Sequence, residues 1–403
     1  MGDAEQILVR IEPDIARLDA AQWDACANPI SSDNTQVFPY NPFISHAFLS
    51  ALEESGSATP ETGWAPQHLI LDDGSGGILA CMPCYLKSHS QGEFVFDYGW
   101  ADAFERAGGR YYPKLQASVP FTPVTGRRLL VPPSVDAEMR EGYLLNASAT
   151  LLERYQASSL HLTFLTRQEW ERAGKTGLLR RTDQQFHWFN QGYGSFEDFT
   201  ASLTSRKRKL IKRERRAACS EDITIRLLTG SDLTEGHWDA FFAFYTDTGA
   251  RKWGQPYLTR EFFSLVGQSM AENILLILCE RAGQPIAGAL NFIGGDALYG
   301  RYWGCLEDHP FLHFEACYYQ AIEYAISHGL DRVEAGAQGQ HKLARGYLPQ
   351  TTYSAHLIAD PSLRSAVESF LIRERTHVEM ENQELARFAP YSKSDGKTPK
   401  NDA

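Results

Sequence analysis

No apolar run in the chain approaches the roughly 20 residues that a membrane-spanning helix needs. The longest, Ile274 to Cys279, has the length of a strand. The opening residues, Met-Gly-Asp-Ala-Glu-Gln, are acidic and lack the cationic stretch and apolar stretch of a secretory signal, so the expected location is cytoplasmic. Cysteine is sparse and odd in number: Cys26, Cys81, Cys84, Cys219, Cys279, Cys305 and Cys317 make no disulfide framework, and reduced thiols are expected. Basic residues are outnumbered, 39 Lys and Arg against 50 Asp and Glu, for a net charge of −11. With 43% hydrophobic, 22% charged and 12% aromatic residues, the chain is neither disordered, collagen-like nor fibrous.

The acidity is not uniform. Residues 206–216 hold eight basic residues and one acid, a net +7, leaving −18 for the rest. One concentrated cationic segment in an acidic protein points to a local anionic partner rather than a generally adhesive surface.

A length of 403 residues suits two domains. A polar, turn-rich stretch, Thr166 to Asp183, separates two halves that read alike, with boundaries at 1–180, 181–390 and a frayed tail at 391–403. The first half reads as a helix capped by Ser45, strands at His68–Leu71 and Ile78–Lys87 joined by an Asp/Gly turn, and a strand at Glu93–Trp100. The second reads as helices near Trp238–Thr248 and Thr259–Ser269, then strands at Ile274–Arg281, Ile286–Ile293 and Ala297–Cys305, then a helix and a strand. Asp97-Tyr98-Gly99-Trp100 and Arg301-Tyr302-Trp303-Gly304 each read as a strand end followed by a tyrosine pair, Tyr111-Tyr112 and Tyr318-Tyr319, as a duplicated α/β unit would show, or as chance similarity between common strand-end residues.

Four segments could carry chemistry. The basic helix, expected over 205–217, continues an apolar stripe from Phe196, Phe199 and Leu203 through Leu210 and Ile211. Its cations Arg206, Lys207, Arg208, Lys209, Lys212, Arg213 and Arg216 suit phosphates of a nucleotide or tRNA, or form a solvated face. Next, Gly336-Ala337-Gln338-Gly339-Gln340-His341-Lys342 follows a strand at Arg332–Glu334 and leads through Arg345 to another at Tyr353–Ile358. Its glycines admit close approach of a ligand and the following donors can contact one, or the segment is a purely structural turn; the spacing matches no nucleotide fingerprint. Glu315, near the start of the helix 313–326, suits either a dipole-stabilised surface acid or a general base. Finally, Arg106 and Arg110 flank a glycine turn that could bind an anion or serve as a βα turn.

No metal is expected. Cys305, His309, His313 and Cys317 recur every four residues, but Pro310 keeps the first two off the helix. Cys81 and Cys84 read as core residues.

Gln185-Phe186-His187-Trp188, the 205–216 segment, Phe314 to Tyr319, Gly336 to Lys342, Tyr111 to Leu115 and Val119 to Leu130 together resemble the FemAB-like family of bacterial proteins, from about Asn41 to Pro390. The resemblance implies an α/β (α+β) chain of two tandem GNAT-like acyltransferase domains, each a mixed central sheet flanked by helices. It also implies transfer of an aminoacyl or acyl group from an activated donor, aminoacyl-tRNA favoured, to an amine of a cell-wall precursor, without a covalent enzyme intermediate. In that reading Glu315 is the base, while Lys342 and His341 contact the oxyanion or a substrate carboxylate or phosphate. Tyr302, Trp303, Tyr318, Tyr319, Gln338, Gly339, Gln340 and Arg345 bind substrate, the 206–216 cations hold the donor, and no cofactor is needed. Acyl-CoA is the alternative donor, at Arg106 and Arg110. In the second half the loop where superfamily members hold pyrophosphate is Leu306 to Leu312, with two acids and no glycine, which repels a diphosphate. A non-catalytic binding module on the same fold is the other alternative.

Overall fold

The structure is a computed structural model and describes residues 8–392 apart from 32, 34, 220, 221, 253–255, 337 and 338. The chain forms two units, Met1–Asp183 with Thr351–Glu379, and Gln184–Gln350 with Met380–Ala403. A single boundary at 180 therefore misassigns residues 351–379. Ile358, Leu363, Val367 and Leu371 of that returning segment share a core with Trp100, Tyr111 and Leu179 of the first unit, and this apolar burial fixes where the segment belongs.

In the first unit, β1 (Leu8–Glu12), β3 (His68–Asp72) and β4 (Ile78–Met82) form a small antiparallel sheet. A second sheet runs in the order β2 (Trp64–Pro66), β5 (Tyr85–Lys87), β6 (Lys114–Ala117), β7 (Ser159–Leu165) and the end of β14 (Leu348–Ile358). Only β6 and β7 pair in parallel there, and the helix Ala137–Arg154 makes the crossover that parallel strands require. It adds Leu144, Leu151 and Leu152 to a core of Leu69, Leu71, Leu115, Leu160 and Leu162.

Two expectations fail in this unit. The stretch 166–183 is no linker: Thr166 and Glu169 form a capping box that starts a helix, Arg167–Lys175, and Leu179 opens β8 (Leu179–Phe189). Glu93–Trp100 is no strand either. Residues 88–97 are irregular and Tyr98–Arg106 is a helix, because Glu93 and Asp97 turn inward to the buried Lys114. The Arg106–Arg110 turn thus ends a helix rather than beginning one.

The second unit has the order β8, β13 (Arg332–Glu334), β12 (Ala297–Cys305), β11 (Gln284–Ile293), β10 (Ile274–Arg281) and β9 (Ile223–Leu228). Here β12 and β13 are the parallel pair, and the helical stretch Leu312–Ser327 crosses between them. The duplication lies in this strand, helix, parallel strand arrangement, not in the tyrosine motifs: Tyr98 begins a helix whereas Tyr302 sits in β12. The tail is held further than expected. Tyr391 bridges to Leu203 and its hydroxyl donates to Gly346 O at 2.7 Å; residues 393–403 lie outside the described residues.

One buried charge gives a stability prediction. Lys87 has no exposed surface, and burial pushes its ammonium down to about 6, against the opposing pull of Glu93. The unfolded chain keeps that proton up to about pH 10.4, so burying Lys87 costs stability increasingly as pH falls from there towards 6 and levels off below. Lys87→Met should raise Tm, most at pH 6 and hardly at pH 10, in melts across that range.

Candidate active site

β12 and β13 pair only over Ala297–Tyr299 and Arg332–Glu334. Beyond Gly300 the strands part, β12 following β11, whose register shifts between Leu290 and Asn291. A bulge that re-aims side chains is a recurrent feature of active sites. A cavity of about 120 Å³ lies in the splay, lined by Asn291, Arg301, Tyr302, Trp303, His313, Cys317, Tyr318 and Ala335. A second cavity, about 440 Å³, shares Trp303 and His313 as walls and reaches Cys305, Glu307, Asp308 and His309. The rings of Trp303 and His313 meet edge to face at 5.3 Å.

Tyr318 brings the cavity its proton chemistry. Its hydroxyl lies 2.9 Å from His341 Nε2. Burial pushes the phenol above its ordinary value. Burial also lowers the imidazole, helped by the charges of Arg345 and Lys342, so His341 is poised as a neutral acceptor behind the phenol. Residues 315–319 form one turn of π-helix, the wider winding common at functional sites, and Tyr318 projects from it.

The loop after β13 supports this pair. Gly339 has φ +121°, and a Cβ there would stand 2.5 Å from the His341 ring, so glycine is needed on both counts. Gly339→Ala should push the ring off Tyr318 at a cost of about 1–3 kcal/mol, read as a lowered Tm and an altered imidazole resonance in NMR. Lys342 Nζ donates to Ala335 O at 2.6 Å and Gly336 O at 3.0 Å, tying down the cavity's edge. Burial, with Arg301 adding, brings its ammonium down to about 7.

Glu315 is fully buried, yet it does not line the cavity. Both its oxygens accept from Arg215, at 2.9–3.1 Å, and one accepts from Gln320 at 2.7 Å. Those contacts make it an anchor between helices; it is not the surface acid weighed above, and its oxygens are committed away from a substrate amine. Arg345 gives one nitrogen to both oxygens of Glu214 and another to His341 O, with its guanidinium 3.5 Å above the Phe314 ring. The Tyr319 hydroxyl also donates to Glu214, so Tyr319 faces away from the cavity. Gln338 lies outside the described residues; Gln340 opens the short 3-10 turn 340–345.

The basic segment is its own helix, Ser205–Ala218, separated from Phe196–Ser202 by extended backbone at Leu203. Arg208 is spent on the preceding helix, donating to Thr200 O, Ala201 O and Leu203 O. Ile211, Glu214 and Ala218 face inward, and Arg215 reaches Glu315 and Glu323. Among the described residues, Arg206, Lys207, Lys209, Lys212, Arg213 and Arg216 pair with no carboxylate, and all but Lys207 are exposed. Arg106 and Arg110 belong to the other unit, where Arg106 pairs with Asp102 at 2.9 Å.

Asn291, Arg301 and Glu334 were not among the expected site residues. Glu334 is buried, but His187, Arg332 and Arg301 around it hold its carboxyl below the ordinary range. The available signal was polarity inside apolar strands: Asn291 in Ile286–Ile293 and His187 opposite Glu334.

Among solved structures, FemX aligns over 87% of this chain and 98% of its own at 11% identity, with a TM-score of 0.53. A tandem GNAT protein from the clavulanic acid biosynthesis pathway aligns over 88% and 98% at 11% identity and a TM-score of 0.47. L-PGS from Bacillus licheniformis aligns over 83% and 98% at 9% identity and 0.47. No curated protein matches. The mixed α/β fold is thus one shared with FemX. Residues 14–393 match the FemAB-like family, described as peptidoglycan biosynthesis/recognition, and the chain belongs to that family.

Proposed function

We propose that the protein is an aminoacyl- or acyltransferase of cell-wall precursor metabolism. An amine attacks the carbonyl of an activated ester directly, within the splay between β12 and β13. The observation that carries this reading is the Tyr318–His341 pair, at 2.9 Å, on the wall of that cavity. Amine attack on an ester needs an acceptor for the amine proton and a donor for the leaving oxygen, and a phenol backed by a neutral imidazole can do both. This moves the proton-transfer role from Glu315 to Tyr318 and His341. Arg301, on the cavity wall and paired with Glu334, would meet the tetrahedral oxyanion or a substrate carboxylate, while the Asn291 amide is spent on the carbonyls of Leu275 and Ala289. Lys342 acts through the carbonyls it holds.

Aminoacyl-tRNA is the donor we favour, its phosphates held by the six unpaired cations of the 205–218 helix. Acyl-CoA is the second reading. In the second unit Glu307, held ionised by Arg281 and His309, disfavours a diphosphate in the loop after β12, which leaves Arg106 and Arg110 of the first unit as the site for that donor. Among the described residues no helix is long and apolar enough to cross a membrane.

The test is binding of labelled aminoacyl-tRNA at several salt concentrations, with CoA as competitor. The comparison is a variant with Arg206, Lys209, Arg213 and Arg216 changed to Glu, leaving the structural Arg208 in place. Affinity should fall by about 0.7 log unit per log unit of salt for each single-strand phosphate contacted and vanish in the variant. Displacement by CoA would favour the acyl-CoA donor. Absence of tRNA binding in the native protein would refute the favoured donor.

A further inference from the structure

The motif Tyr111 to Leu130 plays no part in the second unit's chemistry, yet it helps build a buried polar face in the first. Alternate residues of a strand face opposite sides of a sheet. On one side, Leu115, Ala117, Leu160, Leu162 and Ala355 join the apolar core. On the other, Tyr85, Gln116, His161 and His356 stand directly opposite one another across four strands, with Lys87 opposite Lys114 in the adjacent row. All six are at most 2% exposed.

An apolar face would serve the fold as well. Buried ion pairs are commonly replaceable by apolar side chains without loss, and two lysines opposed on neighbouring strands cannot both carry their charge unless an anion intervenes. The anions here come from an irregular loop, residues 88–97, and not from the sheet. Lys114 Nζ donates to Ser90 Oγ and Glu93 Oε2, each at 2.7 Å, and to Asp97. Asp97 also accepts from the Tyr111 hydroxyl at 2.7 Å. The loop carries Phe94 in the left-handed region at φ 60°, a costly conformation for a bulky residue, and leaves Phe96 exposed.

The loop fills the face incompletely. Lys87 Nζ donates to Gln91 O at 3.3 Å, and its distance to Glu93 is 3.9 Å. Among the described residues, Trp64 Nε1, in the ring beneath the Lys87 amine, and the Tyr85 hydroxyl are buried without hydrogen-bond partners. These three are donors, or can be, grouped on neighbouring strands: a Trp64–Tyr85 ring contact of 5.4 Å joins them. Unmatched donors beside two lysines call for a group with several acceptor oxygens.

We propose that this face is a second binding site, for an anion bearing a phosphate or carboxylate group, and that Glu93 and Asp97 occupy the anion's place as internal competitors. A ligand engages Lys87, Lys114, Trp64 and Tyr85 as loop 88–97 withdraws. The site is independent of the transferase reading and lies wholly within the first unit.

Calorimetry with inorganic phosphate and with malonate tests it on the full chain. Changing Glu93→Gln with Asp97→Asn removes the competitors and should tighten binding of one of the two probes by about tenfold or more; which probe responds separates phosphate from carboxylate. Adding Lys87→Met, a change expected to stabilise the fold, should abolish the gain. Persistence of the gain would place the anion elsewhere, on the 205–218 helix, and overturn the proposal. So would a folded double variant that binds neither probe more tightly. Should the double variant not fold, hydrogen exchange on the native protein decides: amides of 88–97 should exchange faster at saturating probe, and unchanged exchange refutes the site.

Discussion

Tyr318→Phe is expected to lower the rate of acyl transfer by about 10²-fold or more, while Tm stays near that of the native protein. The ring remains, stacked on Phe314 and packed edge-on against Tyr347, so the fold keeps its contacts. Only the hydroxyl that joins the cavity to His341 is lost. His341→Gln should give a loss of similar size. If it did not, the imidazole would be a support for the phenol and not its proton acceptor. Single-turnover rates with a fixed donor and acceptor distinguish these outcomes from a change in binding.

Arg345→Met should be the most destabilising single change in the second unit. Arg345 is 5% and Glu214 3% exposed, and each is the other's charge partner. Removing the guanidinium strands a carboxylate in the interior, and breaking such a pair costs about 3–5 kcal/mol. Glu214→Gln in the same chain should return much of that, because the stranded charge goes with it; chemical denaturation of the two single variants and the double gives the coupling directly. Arg345 also holds the carbonyl of His341, so its loss should slow transfer beyond the loss of folded protein.

The strands of the second unit were legible because apolar segments such as Ile274–Arg281 declare themselves by composition alone, whereas the tyrosine motifs read as its duplication in the first unit fall on a helix there. The cations of 206–216 were equally plain, but their division of labour was not. Which of eight neighbouring cations turns inward depends on a helix break at Leu203, which leaves carbonyls for Arg208 to cap. Glu315 misled for a related reason. A carboxylate at the start of a helix looks free in sequence, and the arginine that takes it is 100 residues away. Asp97 misled too: a tyrosine, a tryptophan and a glycine after it look like a strand end, whereas its buried pairing with Lys114 turns the chain into a loop and a helix. Polar residues satisfied by distant partners carry little local signal, and both the site and the polar face of the first unit are made of them.

The most direct measurement of the central claim is hydrogen exchange with a non-hydrolysable aminoacyl-tRNA analogue bound. The transferase account predicts slowed exchange in two places at once: the exposed side of the 205–218 helix, and the splay at residues 300–303 with the 339–345 turn. Protection of the helix alone would separate anion binding from the cavity. No protection in the splay, with the analogue demonstrably bound, would contradict the assignment of acyl transfer to this site.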